Sequence, residues 1–162
     1  MNTYLLNILQ GSVLVLEVAL GSLLVSVALG LVGAMAKLSG HKPAVWAATV
    51  YSTLIRGIPD LVLMLLIFYG GQIGLNWLLE SVGIETYVEV DPFLAGVLTI
   101  GFIYGAYMTE TFRGAILAIP PGQMEAGRAY GMTSLQVFVR ITLRQMIRLA
   151  LPGFTNNWLV LM

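Results

Sequence analysis

Few side chains in this sequence could carry out chemistry, and their types exclude most of it. The single histidine, His41, stands beside Lys42, and a metal site would need further His or acid ligands close by, so no metal is expected. Cysteine is absent, which removes disulfides, thiolate nucleophiles and thiolate ligands. Neither G-x-S-x-G nor H-E-x-x-H nor an aspartate pair occurs, so an enzyme working inside a membrane would have no catalytic groups. The phosphate-binding pattern G-x-x-x-x-G-K-[ST] is missing too, and the only lysines are Lys37 and Lys42. If ATP drives this protein, another chain must hydrolyse it.

What remains is a sparse set of charges. Glu110 and Arg113 lie one helical turn apart. They read either as a local i,i+3 ion pair of little worth or as a motif that orients the segment after them. Glu17 is an acid inside an apolar run with no cation nearby, and such groups usually face a cavity or a partner. At about 30 Å of helix from Lys37 it also reaches the opposite interface. The interface is the favoured reading, with a place on a substrate path as the alternative. Arg140, Arg144 and Arg148 recur every four residues and share a helix face. Contact with anionic lipid headgroups is favoured there over an ATPase-facing patch. The net charge is zero, so bulk charge points to no partner and no nucleic acid is expected.

The elements that position these charges are membrane helices. The chain is 58% hydrophobic and 10% charged, against roughly 25% charged in ordinary soluble domains, and its mean hydropathy is +0.88. A single all-α transmembrane domain over 1–162 is expected, with helices at about 8–36, 61–79, 93–118 and from about 149 onward. Val18 to Ala36 is free of charge, long enough for a hydrocarbon core of roughly 30 Å, and is followed by Lys37 and Lys42. A signal peptide carries its positive charge before the apolar run, so this helix is retained with its N-terminus outside. Residues 43–56 read as an interfacial or re-entrant helix that ends in Arg56-Gly57-Ile58-Pro59-Asp60. Between the second and third spans lie Glu80, Glu85, Glu89 and Asp91 with no cation, as in an external loop. All eight Lys and Arg fall on segments that this topology places inside. The stretch from Leu149 gives about 21 Å of helix, too short to cross, so a C-terminally truncated bundle is expected.

Residues 119–148 form the longest polar stretch. Pro120-Pro121 stops the third span and starts a short helix, with Glu125 expected in its first turn. Gly131 sits where a left-handed cap would end that helix. Thr133 and Gln136 have capping-box spacing, with Met132 and Val137 placed as a hydrophobic staple, and a longer helix is expected from about Ser134. Ser22, Ser26, Gly30 and Ala34 line helix 1 at every fourth position, and Gly70/Gly74 and Gly101/Gly105 are G-x-x-x-G pairs. Packing within the subunit is the default for these, and a face for a second membrane subunit the alternative.

Glu125-Ala126-Gly127 with Gly131, Ile141 and Leu143 resembles the EAA signature of ABC-importer permeases. Arg56-Gly57-Ile58-Pro59-Asp60 and Tyr107 to Gly114 resemble the polar-amino-acid branch. Leu61–Gly70 and Gly101–Gly114 are similar to the Q-type permease of histidine/lysine/arginine/ornithine importers. The resemblance implies a MetI-like type I bundle in the bacterial inner membrane, multi-pass and with a periplasmic N-terminus. It implies a second homologous permease subunit, an ATPase pair that carries ATP-Mg, and a periplasmic amino-acid-binding protein. No cofactor would be bound by this chain. Coupling to the ATPase would fall to Gln123, Glu125, Ala126, Gly127, Arg128 and Gly131. Arg56, Gly57, Pro59, Glu110, Arg113 and Gly114 are family-motif positions. The sequence departs from the family at Gly127, the third residue of the triplet, and at Arg144, where proline is usual. Glutamine or glutamate as cargo is the alternative substrate. An ATP-independent secondary transporter is the alternative class, although no internal repeat is visible.

Overall fold

The computed structural model describes residues 2–84 and 86–161, with side chains from Tyr4 onward. The helices are α1 (Asn2–Leu38), α2 (Lys42–Gly57), α3 (Asp60–Ser81), α4 (Pro92–Leu117), α5 (Pro121–Ala129), α6 (Ser134–Val137) and α7 (Leu143–Leu161). A π-helical turn, Phe138–Thr142, joins α6 to α7, so the backbone from Ser134 to Leu161 is one helical rod. No strand occurs among the described residues. A chain this apolar must satisfy its backbone hydrogen bonds within each segment, which in lipid means helix. Among the described residues three helices are long and apolar enough to cross a membrane: Tyr4–Leu38, Asp60–Ser81 and Pro92–Leu117.

Two boundaries differ from expectation. The first helix begins well before residue 8 and ends at Leu38, because nothing in its apolar start breaks it. The last helix does not begin near Leu149. Its arginine-bearing turns carry no proline, and Pro152 lies inside α7 without ending it.

Helix α4 is the hub against which the others pack. The small-residue stripe of α1 faces it: Ser22, Ser26 and Ala34 are fully buried, and a Cβ on Gly30 would collide with Met108. From the other side, a Cβ on Gly101 would meet Val25 at 2.6 Å and one on Gly105 would meet Leu29 at 2.8 Å. The α1–α4 backbones therefore approach as closely as missing side chains allow. Gly70 and Gly74 face open space. One core cluster joins α1, α4 and α7 through Ala34, Met108, Phe112, Ala115, Ile119, Met146 and Ala150. A second joins α2, α3 and α4 through Ile55, Leu63, Ile103, Tyr104 and Ala106.

At the end of the bundle where α3 passes to α4, two side-chain amides of α3 act as a surrogate strand. Asn76 accepts from Val88 N at 2.8 Å and donates to Val88 O at 3.0 Å. Gln72 accepts from Val90 N at 2.9 Å and donates to Val88 O at 2.6 Å. Asp91 then caps α4 by accepting from Leu94 N at 2.8 Å, with Pro92 at the first helical position, where its missing N–H costs nothing. Glu85, counted above with the external acids, lies outside the described residues.

Candidate functional site: an ionic hub beside a helical corner

Opposite that loop, the ends of α1, α2 and α4 meet at Glu110. One carboxylate oxygen accepts from Lys37 of α1 and from Ser52 of α2 at 3.1 Å. The other accepts from Arg113 Nε at 2.9 Å. Lys37 and Glu110 are largely shielded, with side chains 10% and 19% exposed, so these are charge-assisted bonds in a low-dielectric setting. The pair expected from the sequence, Glu110 with Arg113, is present. It is not merely the weak local pair, because the same carboxylate ties three helices. Sequence reasoning missed Lys37 and Ser52, which lie 73 and 58 residues away.

A second polar cluster lies alongside. The Tyr107 hydroxyl donates to Asp60 Oδ1 at 3.0 Å, and the Arg56 guanidinium sits 5.6 Å from the Tyr107 ring centroid, within cation–π range. Pro59 precedes α3 as its cap residue in an extended conformation. The structure thus brings the 56–60 and 107–113 motifs together at one end. Gly57 and Gly114 face open space, and nothing in this chain requires glycine at either position.

The corner follows α4 directly. Pro120 caps α5 and Pro121 opens it. Glu125 is therefore in the second turn, one turn later than expected, because the helix starts at Pro121. At the far end, Gly131 has φ +77°. Met132 N donates to Gly127 O at 3.1 Å and Gly131 N to Arg128 O at 2.9 Å, the paired bonds of a Schellman cap. The next helix begins with a complete capping box: Gln136 N donates to Thr133 Oγ1 at 3.3 Å and Thr133 N to Gln136 Oε1 at 2.9 Å. Within α5, just before these caps, Gly127 pins the helix onto the rod behind it. A Cβ there would sit 2.6 Å from Ile141 Cδ1 and 3.2 Å from Val137 Cγ2. Gly127 is buried, whereas Gln123, Glu125, Ala126 and Arg128 are exposed, as is Tyr130 at 88%. The result is a short rigid helix with a free polar face.

Glu17 is exposed on α1 just before Ala19 and Gly21 begin to pack. It does not line the cavity of about 710 Å³ that lies near the other end of α4 among residues that include Gln72, Tyr87, Glu89, Thr99 and Phe102. The acid on that cavity is Glu89. Among the described residues no group of His, Cys, Asp or Glu is arranged to hold a metal. Arg140, Arg144 and Arg148 share one cleft with Gln123.

These features can be set beside known proteins. The family described as "Binding-protein-dependent transport system inner membrane component" matches residues 26–162. The histidine/lysine/arginine/ornithine transport system permease protein HisQ of Salmonella typhimurium is 55% identical over 155 residues, covering 96% of this chain and 68% of HisQ. The octopine transport system permease protein OccQ of Rhizobium radiobacter is 40% identical, covering 94% of this chain and 64% of OccQ. The arginine ABC transporter permease protein ArtQ of Escherichia coli is 34% identical, covering 89% of this chain and 66% of ArtQ. A solved structure described as an amino acid ABC transporter with histidines superposes with a TM-score of 0.69 at 31% identity, over 96% of this chain and 70% of that one. A helical bundle organised on α4, a capped corner and a match over most of the sequence agree: the chain belongs to the binding-protein-dependent transport system inner-membrane component family.

Proposed function

We propose that this chain is the permease subunit of an ATP-driven importer of amino acids with cationic side chains, and that α5 is the handle through which an ATPase moves it. The observation that carries the reading is the corner itself: a helix of nine residues, opened by Pro121, closed by the Gly131 cap, pinned through Gly127, with its polar face free. Gln123, Glu125, Ala126 and Arg128 form the docking face, and Gly131 fixes the angle. The 56–60 and 107–113 clusters behind it give that handle a firm root in α1, α2 and α4. Nucleotide-driven approach of the two ATPases would rock the helices between inward-open and outward-open states, whose populations the ligands set. A second permease subunit, an ATPase pair and a periplasmic binding protein complete the transporter.

The orientation follows from charge. Lys37, Arg56, Arg113 and Arg128 lie at the corner end, which the positive-inside rule places in the cytoplasm, leaving the N-terminus periplasmic. At the other end, Glu89 lines the large cavity, and Glu80 and Asp91 are exposed nearby, so the outer mouth carries a negative potential that concentrates cations. The names of HisQ and ArtQ, which cite histidine, lysine, arginine and ornithine, point to the same substrate class. The test is uptake of radiolabelled arginine by the assembled transporter in vesicles, with lysine, histidine and glutamine as competitors. The basic amino acids should compete and glutamine should not. Glutamine entering better than all three would overturn the substrate assignment, and uptake without ATP would overturn the class.

A further inference from the structure

Arg140, Arg144 and Arg148 lie four residues apart on the rod that leaves the corner, and the backbone keeps all three on one cleft of about 630 Å³. Gln123 of α5 and Gln145, Ile141 and Ile147 of the rod complete its lining. No carboxylate lines the cleft, and both ion pairs among the described residues use Glu110 instead. Three guanidiniums at i,i+4 spacing repel one another, so the arrangement is most stable with an anion between them. Planar guanidinium forks match phosphate oxygens in bidentate fashion.

Depth selects the source of that phosphate. Met146 and Ala150 pack in one cluster with Ala115 and Ile119, so Arg144 and Arg148 lie level with the last turn of α4, just beyond Arg113. The rod then continues into the exposed apolar residues Leu149 and Leu151. A cleft lined by three arginines and two isoleucines and level with the end of a membrane helix suits a lipid headgroup with an acyl chain running up α7. We propose that Arg140, Arg144, Arg148 and Gln123 seat the phosphate of an anionic lipid of the inner leaflet, and that this lipid braces α5 against α7. The transport reading above enters only through the choice of leaflet.

The test uses the assembled transporter in nanodiscs of phosphatidylcholine, with spin-labelled phosphatidylglycerol or spin-labelled phosphatidylcholine as probe. The wild type should immobilise the anionic probe in preference to the zwitterionic one, and rising salt should erode that preference. Arg144→Gln and Arg148→Gln should each lower it about fivefold, the scale expected for one cation at an anionic surface. Gln123→Ala should lower it less, and Arg140→Gln provides a third variant of the same cleft. Arg140, Arg144 and Arg148 are exposed and lie outside the docking face of α5, so the ATPase should still co-purify with the three arginine variants. No preference in the wild type, or an unchanged one in the arginine variants, overturns the proposal. Displacement of the probe by millimolar inorganic phosphate at constant ionic strength would overturn the lipid in favour of a soluble anion. Loss of the ATPase with the lipid preference intact would make the cleft a protein contact instead. Arginine uptake, measured separately, reports on the transport reading alone.

Discussion

Glu110 accepts from Lys37, Ser52 and Arg113 at once, so its partners are not equivalent to it. Removing the acceptor strands a shielded cation, which in buried pairs costs about 3–5 kcal/mol. Removing one donor leaves the carboxylate still bonded, at about 1–3 kcal/mol. Glu110→Gln is therefore expected to lower the melting temperature of the detergent-solubilised protein more than Lys37→Met does. The double variant should recover part of the loss, since residues in one network are coupled. Equal single effects with no recovery would show that the hub is not cooperative. The local half of this cluster was legible in the sequence, because Glu110 and Arg113 are neighbours on any helix. Lys37 was not, because one sequence ranks no partner at long separation above another. Gly127 stood out as a departure from its family, but the reason for it, the methyl of Ile141 2.6 Å from where a Cβ would be, exists only once the corner has folded.

Among the elements, the corner was the most legible, because caps are local chemistry: two prolines, a glycine and a Thr/Gln pair specify it within seventeen residues of chain. The rod after it was less so. The π-helical turn at Phe138–Thr142 carries no sequence signal comparable to a proline, and such turns are frequent near functional sites. It lies in contact with α5, since Ile141 is the residue that meets Gly127. Gly131→Val should therefore act on the angle of α5 rather than on the bundle. A branched side chain at φ +77° costs about 1 kcal/mol or more. The variant should insert normally yet hydrolyse ATP without uptake, as measured in the same vesicles. Transport at the wild-type level would mean that α5 is not the coupling element. The small-residue stripe of α1 resolves on the same scale. Its burial against α4 assigns it to packing within the subunit, which periodicity alone had left open.

For the whole molecule, the distribution of charge makes one further claim that solution chemistry can check. The chain has no cysteine, so single substitutions report without a background. Glu125→Cys should resist an impermeant thiol reagent in intact cells and react in inverted vesicles, whereas Glu80→Cys should do the reverse. Labelling of Glu125→Cys from outside would invert the topology. The reliance of the bundle on α4 also dictates how the chain can be made. Synthesis runs from the N-terminus, so α1, α2 and α3 are complete before the residues they pack against exist. Lys37 must wait 73 residues for Glu110, and Ser52 must wait 58. During that interval a lysine and a serine are held at the membrane boundary with no acid to answer them, beside a seam of small residues that has nothing to close on. Assembly is thus separated from insertion by the arrival of a single helix. A pause in translation before α4 would leave the spans α1 and α3 without the helix that forms their common centre.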